Sequence, residues 1–424
     1  MQRQSNLNLS DSDRALRAGE QGPAPQMAMR IIARMAEVSG APSLMDISAA
    51  HIDSAIFTGD ATLEFAEHLQ RLGAKVSVPS TLNVSGLDEH GWQEWAVPPA
   101  WAAKAQRQMV AYQSMGCKPV WTCAPYQTDA KPKFGQQVAW GESNAIAFAN
   151  SVIGARTERY PDLMDVCAAI TGRVPATGLH LTQNRKASVL VRLQRISRRV
   201  QEDESFFTVL GLLMGTMAEQ RILAVEGIEV KPTEDQLKAM CGAVSSSGSI
   251  ALFHLIGITP EAPTLDDAFH GEEPARVVNV TVDDLRSAHA RLTTSVEEHL
   301  DMVILGSPHF SLAEFQLLAP LLRGKHRHAS VQFLVTTSRA MKLLAEQSGT
   351  LQPLTDFGGK ITVDTCVLTT PMLHPNIRTV MTNSAKYSYY APGLLNAQVV
   401  FGPLADCVQS AVAGRVVRNR SVWG

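Results

Sequence analysis

Apolar and polar positions along this chain switch back and forth between two periods. At 27–38, 62–72, 98–114 and 142–153 the apolar residues fall at helical spacing. Between these segments, LMDISAAHIDSAIFTGD and 75–79 read as strands closing on polar turns, and 119–121 reads as extended. Ser10 and Asp13 have the spacing of a capping box, which predicts a short helix to Gly19, interrupted at Gly22-Pro23. The second half repeats the rhythm. Strands are predicted at 250–255, 276–280, 302–305, 331–335, 360–363 and 398–401. Helices are predicted at 206–219, 233–243, 283–293, 312–322, 338–346 and 404–413. Strands alternating with helices of about 10–15 residues predict an α/β architecture with mostly parallel sheets. In such sheets ligands gather outside the carboxyl ends of strands, and the polar clusters of this chain fall repeatedly at such ends. No short repeat, heptad or low-complexity tract is present; the stretches 172–186 and 260–273 are the candidate subdomain boundaries.

Composition narrows the picture modestly. With 424 residues, 45% hydrophobic and 18% charged, the chain has the make-up of an ordinary globular protein with room for two or three cores. A net charge of −2 gives no reason to expect nucleic acid or an anionic membrane as partner. No apolar run approaches the roughly 20 residues needed to span a bilayer. The first residues, MQRQSNLNLSDSDRALRAGEQ, lack the apolar core of a secretory signal, so a cytoplasmic address is expected.

Six cysteines, at 117, 123, 167, 241, 366 and 407, are too few and too scattered for a disulfide framework, and none forms a CxxC pair. Cys167, Cys241 and Cys407 stand at helical spacing and read as small buried hydrophobes. Cys117, Cys123 and Cys366 stand among strand ends and turns, where packing and thiolate ligation are both open readings. The segment 115–156, MGCKPVWTCAPYQTDAKPKFGQQVAWGESNAIAFANSVIGAR, is the most informative. Two of these cysteines precede a Gly/Pro-punctuated loop, and Glu142-Ser143-Asn144 then opens a buried helix whose N–H groups could face an anion.

Other polar strand ends are His51-Ile52-Asp53-Ser54, Thr81-Leu82-Asn83-Val84, Gly306-Ser307-Pro308-His309, Thr365-Cys366 and Asn383-Ser384-Ala385-Lys386. Each also has a plain reading as a cap or turn: Thr58 or Asp60 capping the next helix, an Asx turn at Asn83, Glu142 complementing a helix dipole, Ser311 as an N-cap. P-loop, HExxH and GxSxG motifs are absent. Ser245-Ser246-Ser247-Gly248-Ser249 reads as a flexible loop. The residues alone thus lead to an α/β enzyme with polar strand ends and candidate thiolate ligands.

Several blocks resemble the aconitase X family, the dehydratase branch of the aconitase superfamily. They are DRALRAGEQGPAPQMAMRII, SAAHIDSAIFTGDATLEFAEHLQRLGAKVSVPSTLNV, the block of Cys117 to Arg156, GSPHFSLAEF, VDTC and NSAKYSYYAPG, running from residue 10 to about 415. The resemblance implies an aconitase-like fold of α/β/α layers. It corresponds to the large, catalytic part of the family, with the small swivelling domain expected as a partner. It also implies an iron–sulfur cluster on Cys123 and Cys366, substrate contacts at Ser54, Asn83, Glu142, Ser143 and Lys386, and catalytic roles for Glu142 and Lys386. Ser307 stands where archaeal members have a third ligand cysteine, and a serine is a poor ligand for such a cluster. Either Cys117 supplies a further thiolate, or a smaller cluster is held by fewer cysteines, with 2Fe–2S preferred over 3Fe–4S or 4Fe–4S. Ser307 and Trp121-Thr122-Cys123 favour the branch that dehydrates cis-3-hydroxy-L-proline to Δ1-pyrroline-2-carboxylate. Dehydration of (R)-5-phosphomevalonate, a zinc or mononuclear-iron hydro-lyase, and a non-catalytic subunit binding a small acid are the alternatives.

Overall fold

Parallel sheets flanked by helices account for the alternating periods, in a computed structural model that describes residues 7–219, 221–418 and 422–423. The chain divides into two compact units, one of Met1–Gly86 with Pro99–Lys186 and one of Leu87–Pro98 with Ala187–Gly424.

The first unit carries β1 (Leu44–Asp46), β2 (Ala50–Ile52), β3 (Ser80–Leu82), β4 (Ala139–Trp140) and β5 (Arg173–Pro175). β2 is the centre of a three-stranded parallel sheet ordered β3-β2-β4, while β1 and β5 pair antiparallel. Every residue of β2, β3 and β4 is buried, as expected of parallel strands covered on both faces. Helix Met164–Thr171, buried along its whole length, packs on β2, β4 and β5, and helix Pro23–Ser39 packs against it. The predicted capping box is present at the start of helix Asp11–Ala18, and its Asp13, 1% exposed, is also held by Arg173 at 2.8 Å.

The second unit is built on two all-parallel sheets. The first contains β6 (Val189–Leu193), β7 (Leu223–Glu226), β8 (Phe253–Leu255) and β9 (Arg276–Val280), in the order β8-β7-β6-β9. The second contains β10 (Met302–Leu305), β11 (Gln332–Thr337), β12 (Lys360–Val363), β13 (Thr379–Thr382) and β14 (Gln398–Phe401), in the order β12-β11-β10-β13-β14. Val303, Leu305, Phe333, Val335, Met381 and Val400 project from this sheet into a core closed by Phe315 and Leu318 of helix Leu312–Leu322.

Four sequence expectations are corrected. The strand predicted at 75–79 lies one segment later, at β3: Val76 and Ser77 bond instead to the carbonyls of Met115 and Ala169, and Ser80 to Leu82 pair with β2. The extended reading of 119–121 gives way to a turn in which buried Trp121 adopts a left-handed φ of 42°. The expected break between the first two helices is present at 19–22, but the second helix resumes at Pro23 and not at 27, with the proline at a position where its missing N–H costs nothing. The Ser245–Ser249 loop is helical through Gly248, with Ser249 as the C-cap. Its Ser246 and Ser247 hydroxyls bond back to the carbonyls of Gly242 and Ala243, which satisfies them within the helix. A Cβ at Gly248 would stand 2.2 Å from the Gly215 carbonyl oxygen, so this glycine lets two helix backbones touch.

Candidate active site

Register brings the first group of residues together. His51 pairs with Thr81 on one side and Trp140 on the other, so Asp53, Asn83 and Glu142 follow their strands at one level of the sheet. Two bonds fix the ends: Asn83 N–H donates to the Ile52 carbonyl at 3.0 Å and Gly141 N–H to the His51 carbonyl at 2.8 Å. Asn83, fully buried, donates its side-chain Nδ2 to Asp53. Burial first, and then the Glu142 and Asp165 carboxylates, push Asp53 up to about 7. His51, sealed in the sheet, is pushed down to about 3 by burial and stays neutral, its Nδ1 on Thr81 at 2.8 Å.

Ser54 is buried and faces away from this level. Its N–H and Oγ both donate to Asp165, at 2.9 and 2.6 Å, and its Oγ accepts from the Tyr112 hydroxyl at 3.1 Å. Asp165, 2% exposed near the start of helix Met164–Thr171, therefore anchors the turn after β2. Asp165 lies outside every strand-end pattern, which is why sequence reading passed it over. Asp53 sat within the noted His51–Ser54 cluster without being singled out.

Gly141 is the close contact of this arrangement. A Cβ there would fall 2.4 Å from the Asp53 Cβ and 2.8 Å from its nitrogen. Gly141→Ala is expected to displace Asp53 or Glu142 and to lower turnover about 100-fold, as misplacements near 1 Å do, while costing about 1–3 kcal/mol of stability. Steady-state rates alongside urea unfolding check this; turnover within threefold of the parent would show that the two strand ends tolerate being pushed apart.

Glu142 takes a left-handed φ of 62° and caps helix Ser143–Ala147, its Oε2 accepting from the N–H groups of Asn144 and Ala145 at 3.0 and 3.1 Å. The Asn144 side chain joins this carboxylate to the cysteine loop. Its Nδ2 donates to Glu142 and to the Cys123 carbonyl at 3.0 Å, and its Oδ1 accepts from Tyr126 at 2.6 Å. Tyr126 stacks on Phe148 with ring centroids 3.8 Å apart. Phe148 begins the π-helical turn Phe148–Ile153, a feature often found near functional sites. Ser143 and Cys123 are half-buried. Cys117, by contrast, is 3% exposed, and burial followed by the Asp165 charge pushes its thiol up to about 12.

The remaining predicted residues gather in the second unit, at the carboxyl edge of the five-stranded sheet. Ser307 follows β10, Cys366 follows β12, and Lys386 lies in helix Ala385–Leu394 after β13; all three are half-buried. The Ser384 hydroxyl donates to the Ser307 carbonyl and accepts from Tyr387 N–H at 3.1 Å, which ties the β10 and β13 ends together and caps the Lys386 helix. A small cavity of about 30 Å³ opens between Ser307, Asn383 and Ser384. Beneath it Lys238, 2% exposed, pairs with Asp235 at 2.9 Å and with Glu314, and donates to the His309 carbonyl at 3.2 Å. The Cys366 turn opens with Asp364 at a left-handed φ of 65°, its carboxylate forked by Arg339 at 2.7–2.9 Å. Cys123 and Cys366 thus each stand two residues after a buried, left-handed, non-glycine residue, Trp121 and Asp364. Such strain collects at functional sites. Among the described residues no three His, Cys, Asp or Glu side chains come together as a metal site.

Family models describing the aconitase X first, second and third domains match residues 6–183, 187–290 and 300–413. The chain belongs to the aconitase X family. It is 46% identical over 418 residues to cis-3-hydroxy-L-proline dehydratase of Pseudomonas aeruginosa, covering 98% of this chain and 72% of that protein. It is 31% identical over 407 residues to the phosphomevalonate dehydratase large subunit of Methanocaldococcus jannaschii, covering 95% of this chain and all of that one. The crystal structure of Thermococcus kodakaraensis aconitase X in its holo-form superposes with a TM-score of 0.85 at 31% identity, over 95% of this chain and 100% of that one. This aconitase X chain therefore has the layered α/β fold of its family and is an enzyme of the hydro-lyase class, a dehydratase. No helix among the described residues is long and apolar enough to cross a membrane.

Proposed function

We propose that this chain is the catalytic part of a dehydratase that converts cis-3-hydroxy-L-proline to Δ1-pyrroline-2-carboxylate. The observation that carries this reading is the chemistry of the β2 and β4 ends. Asp53 is held up at about 7 by burial first and then by the Glu142 and Asp165 carboxylates gathered there, surroundings that disfavour a phosphate dianion and suit an amino acid whose nitrogen is cationic. The 46% identity to a cis-3-hydroxy-L-proline dehydratase, against 31% to a phosphomevalonate dehydratase large subunit, supports it.

The two thiols that are not sealed in the core, Cys123 and Cys366, suit an iron–sulfur cluster in kind, and each is half-buried within its own unit. When bound, the cluster, 2Fe–2S by preference, supplies a Lewis-acidic iron for a hydroxyl or carboxylate. A further ligand is left to Ser307, at a strand end but a hard donor, or Cys117, a thiol but sealed in the core. Glu142, oriented through Oε2, removes the C2 proton as hydroxide leaves C3, and the resulting enamine tautomerises to the imine. Lys386 holds the substrate carboxylate as charge builds beside it, and Asn83 and Ser143 hold the ring. A small swivelling domain completes the site; the M. jannaschii relative is itself named a large subunit, and the P. aeruginosa protein extends beyond the 72% matched here.

The test is anaerobic purification together with that small domain, counting iron and sulfide, followed by assay of cis-3-hydroxy-L-proline and 5-phosphomevalonate side by side. Turnover of the hydroxyproline with water loss is expected. Turnover of the phosphorylated compound alone would overturn the substrate assignment, and iron without sulfide would overturn the cluster.

A further inference from the structure

We infer that Asp53 selects the substrate through its nitrogen: its carboxylate, with Oδ1 of Asn83 beside it, accepts the N–H donors of a protonated secondary amine. This rests on the substrate class proposed above and assigns a residue to it.

Two independent features of the β2 and β3 ends point to such a ligand. The first is Asp53 itself, which keeps partial exposure at the strand end although the protein surrounds it. It has one amide donor, from Asn83, and three carboxylates as neighbours: Glu142 after β4, and Asp165 and Asp162 around the start of helix Met164–Thr171. A cation seated here would relieve the mutual repulsion, which makes the site selective for positive charge. The second is Asn83, which is wholly buried yet leaves Oδ1 without a hydrogen bond. The neutral His51 ring approaches this amide without closing a bond of normal geometry. A buried acceptor left open is costly unless something fills it, and an ammonium with two N–H groups can serve both Asp53 and Asn83. Ser54 cannot take this role, since its hydroxyl is committed to Asp165 and Tyr112.

The test compares two ring carboxylates on the reconstituted holoenzyme by calorimetry. L-Proline carries the secondary ammonium; tetrahydrofuran-2-carboxylate has an ether oxygen in its place and is otherwise alike. The parent enzyme is expected to favour proline roughly 10- to 100-fold, the range for a charge-assisted hydrogen bond. Asp53→Asn and Asp53→Ser should abolish that preference while leaving affinity for the ether within threefold, a pattern that a merely structural role would not give. In the parent, proline affinity should rise with pH through about 7 as Asp53 ionises against Glu142, Asp165 and Asp162, with His51 neutral and Tyr112 protonated throughout. That limb should be absent in Asp53→Asn. Retention of the preference in both variants, or equal loss of both ligands, would overturn the role of Asp53 while leaving the substrate reading intact. Failure of the parent to bind either compound or to turn over cis-3-hydroxy-L-proline would overturn both.

Discussion

Lys238→Met is expected to destabilise the protein by about 3–5 kcal/mol, the usual cost of removing one partner from a buried ion pair. Lys238 is 2% exposed, and its ammonium lies between Asp235 and Glu314. Burial alone would lower its pKa, but the two carboxylates outweigh that and hold it above the ordinary lysine value. Methionine fills a similar volume yet leaves both carboxylates facing each other without a cation. The damage should spread to the strand end above. Glu314 accepts from Ser311 N–H at 2.8 Å, and Ser311 donates to Asp235 at 2.7 Å, so the same group caps helix Leu312–Leu322 and steadies the turn that bears Ser307. Denaturant midpoints measure the effect. A triple change, Lys238→Met with Asp235→Asn and Glu314→Gln, should recover most of the loss because no charge is then left unpaired. A single Lys238→Met variant within 1 kcal/mol of the parent would show that the carboxylates find water instead.

Cys123→Ala should remove iron and sulfide together and lower turnover by more than 100-fold, since loss of an outer-shell partner of a metal ligand alone costs about 10- to 100-fold. Cys117→Ala provides the contrast. Its thiol is enclosed in the core, so the substitution should cost stability, on the order of 1 kcal/mol, while the cluster is retained. Iron and sulfide analysis of the two proteins, purified anaerobically in parallel, decides between them. Full iron content in Cys123→Ala would sink the ligand assignment, and loss of iron in Cys117→Ala would make that residue the further ligand in place of Ser307.

How far these features were legible in the sequence depended on whether a local rule fixed them. Strands β9, β10, β12 and β14 and helices Leu312–Leu322 and Leu404–Ala413 lie where apolar periodicity predicted them, most plainly β10, every residue of which is buried. Ser311 was recognisable as an N-cap because its box with Glu314 is purely local. β3 was misplaced because its partner is set by pairing with β2, thirty residues earlier in register, and not by its own pattern. The serines of 245–249 misled because their hydroxyls satisfy helix carbonyls that sequence alone cannot show to be in reach. Among site residues, Asn83, Glu142 and Cys123 stood out as polar or thiol groups beside turns. Asp165 and Lys238 did not, since each sits in an ordinary helix and acts through neighbours distant in sequence, Ser54 and Glu314.

The register of β2 carries a constraint of a different kind, on chain length. This strand has three residues and is paired on both sides, so its level is set twice over. One residue inserted between Ala50 and Ile52 would turn Asp53 to the opposite face and carry it past both Asn83 and Glu142. No substitution elsewhere restores that alignment, because β3 and β4 are themselves each fixed by β2. The exposed loop at 133–135, by comparison, can lengthen at little cost. In this region, spacing between residues is thus as strictly specified as their identity.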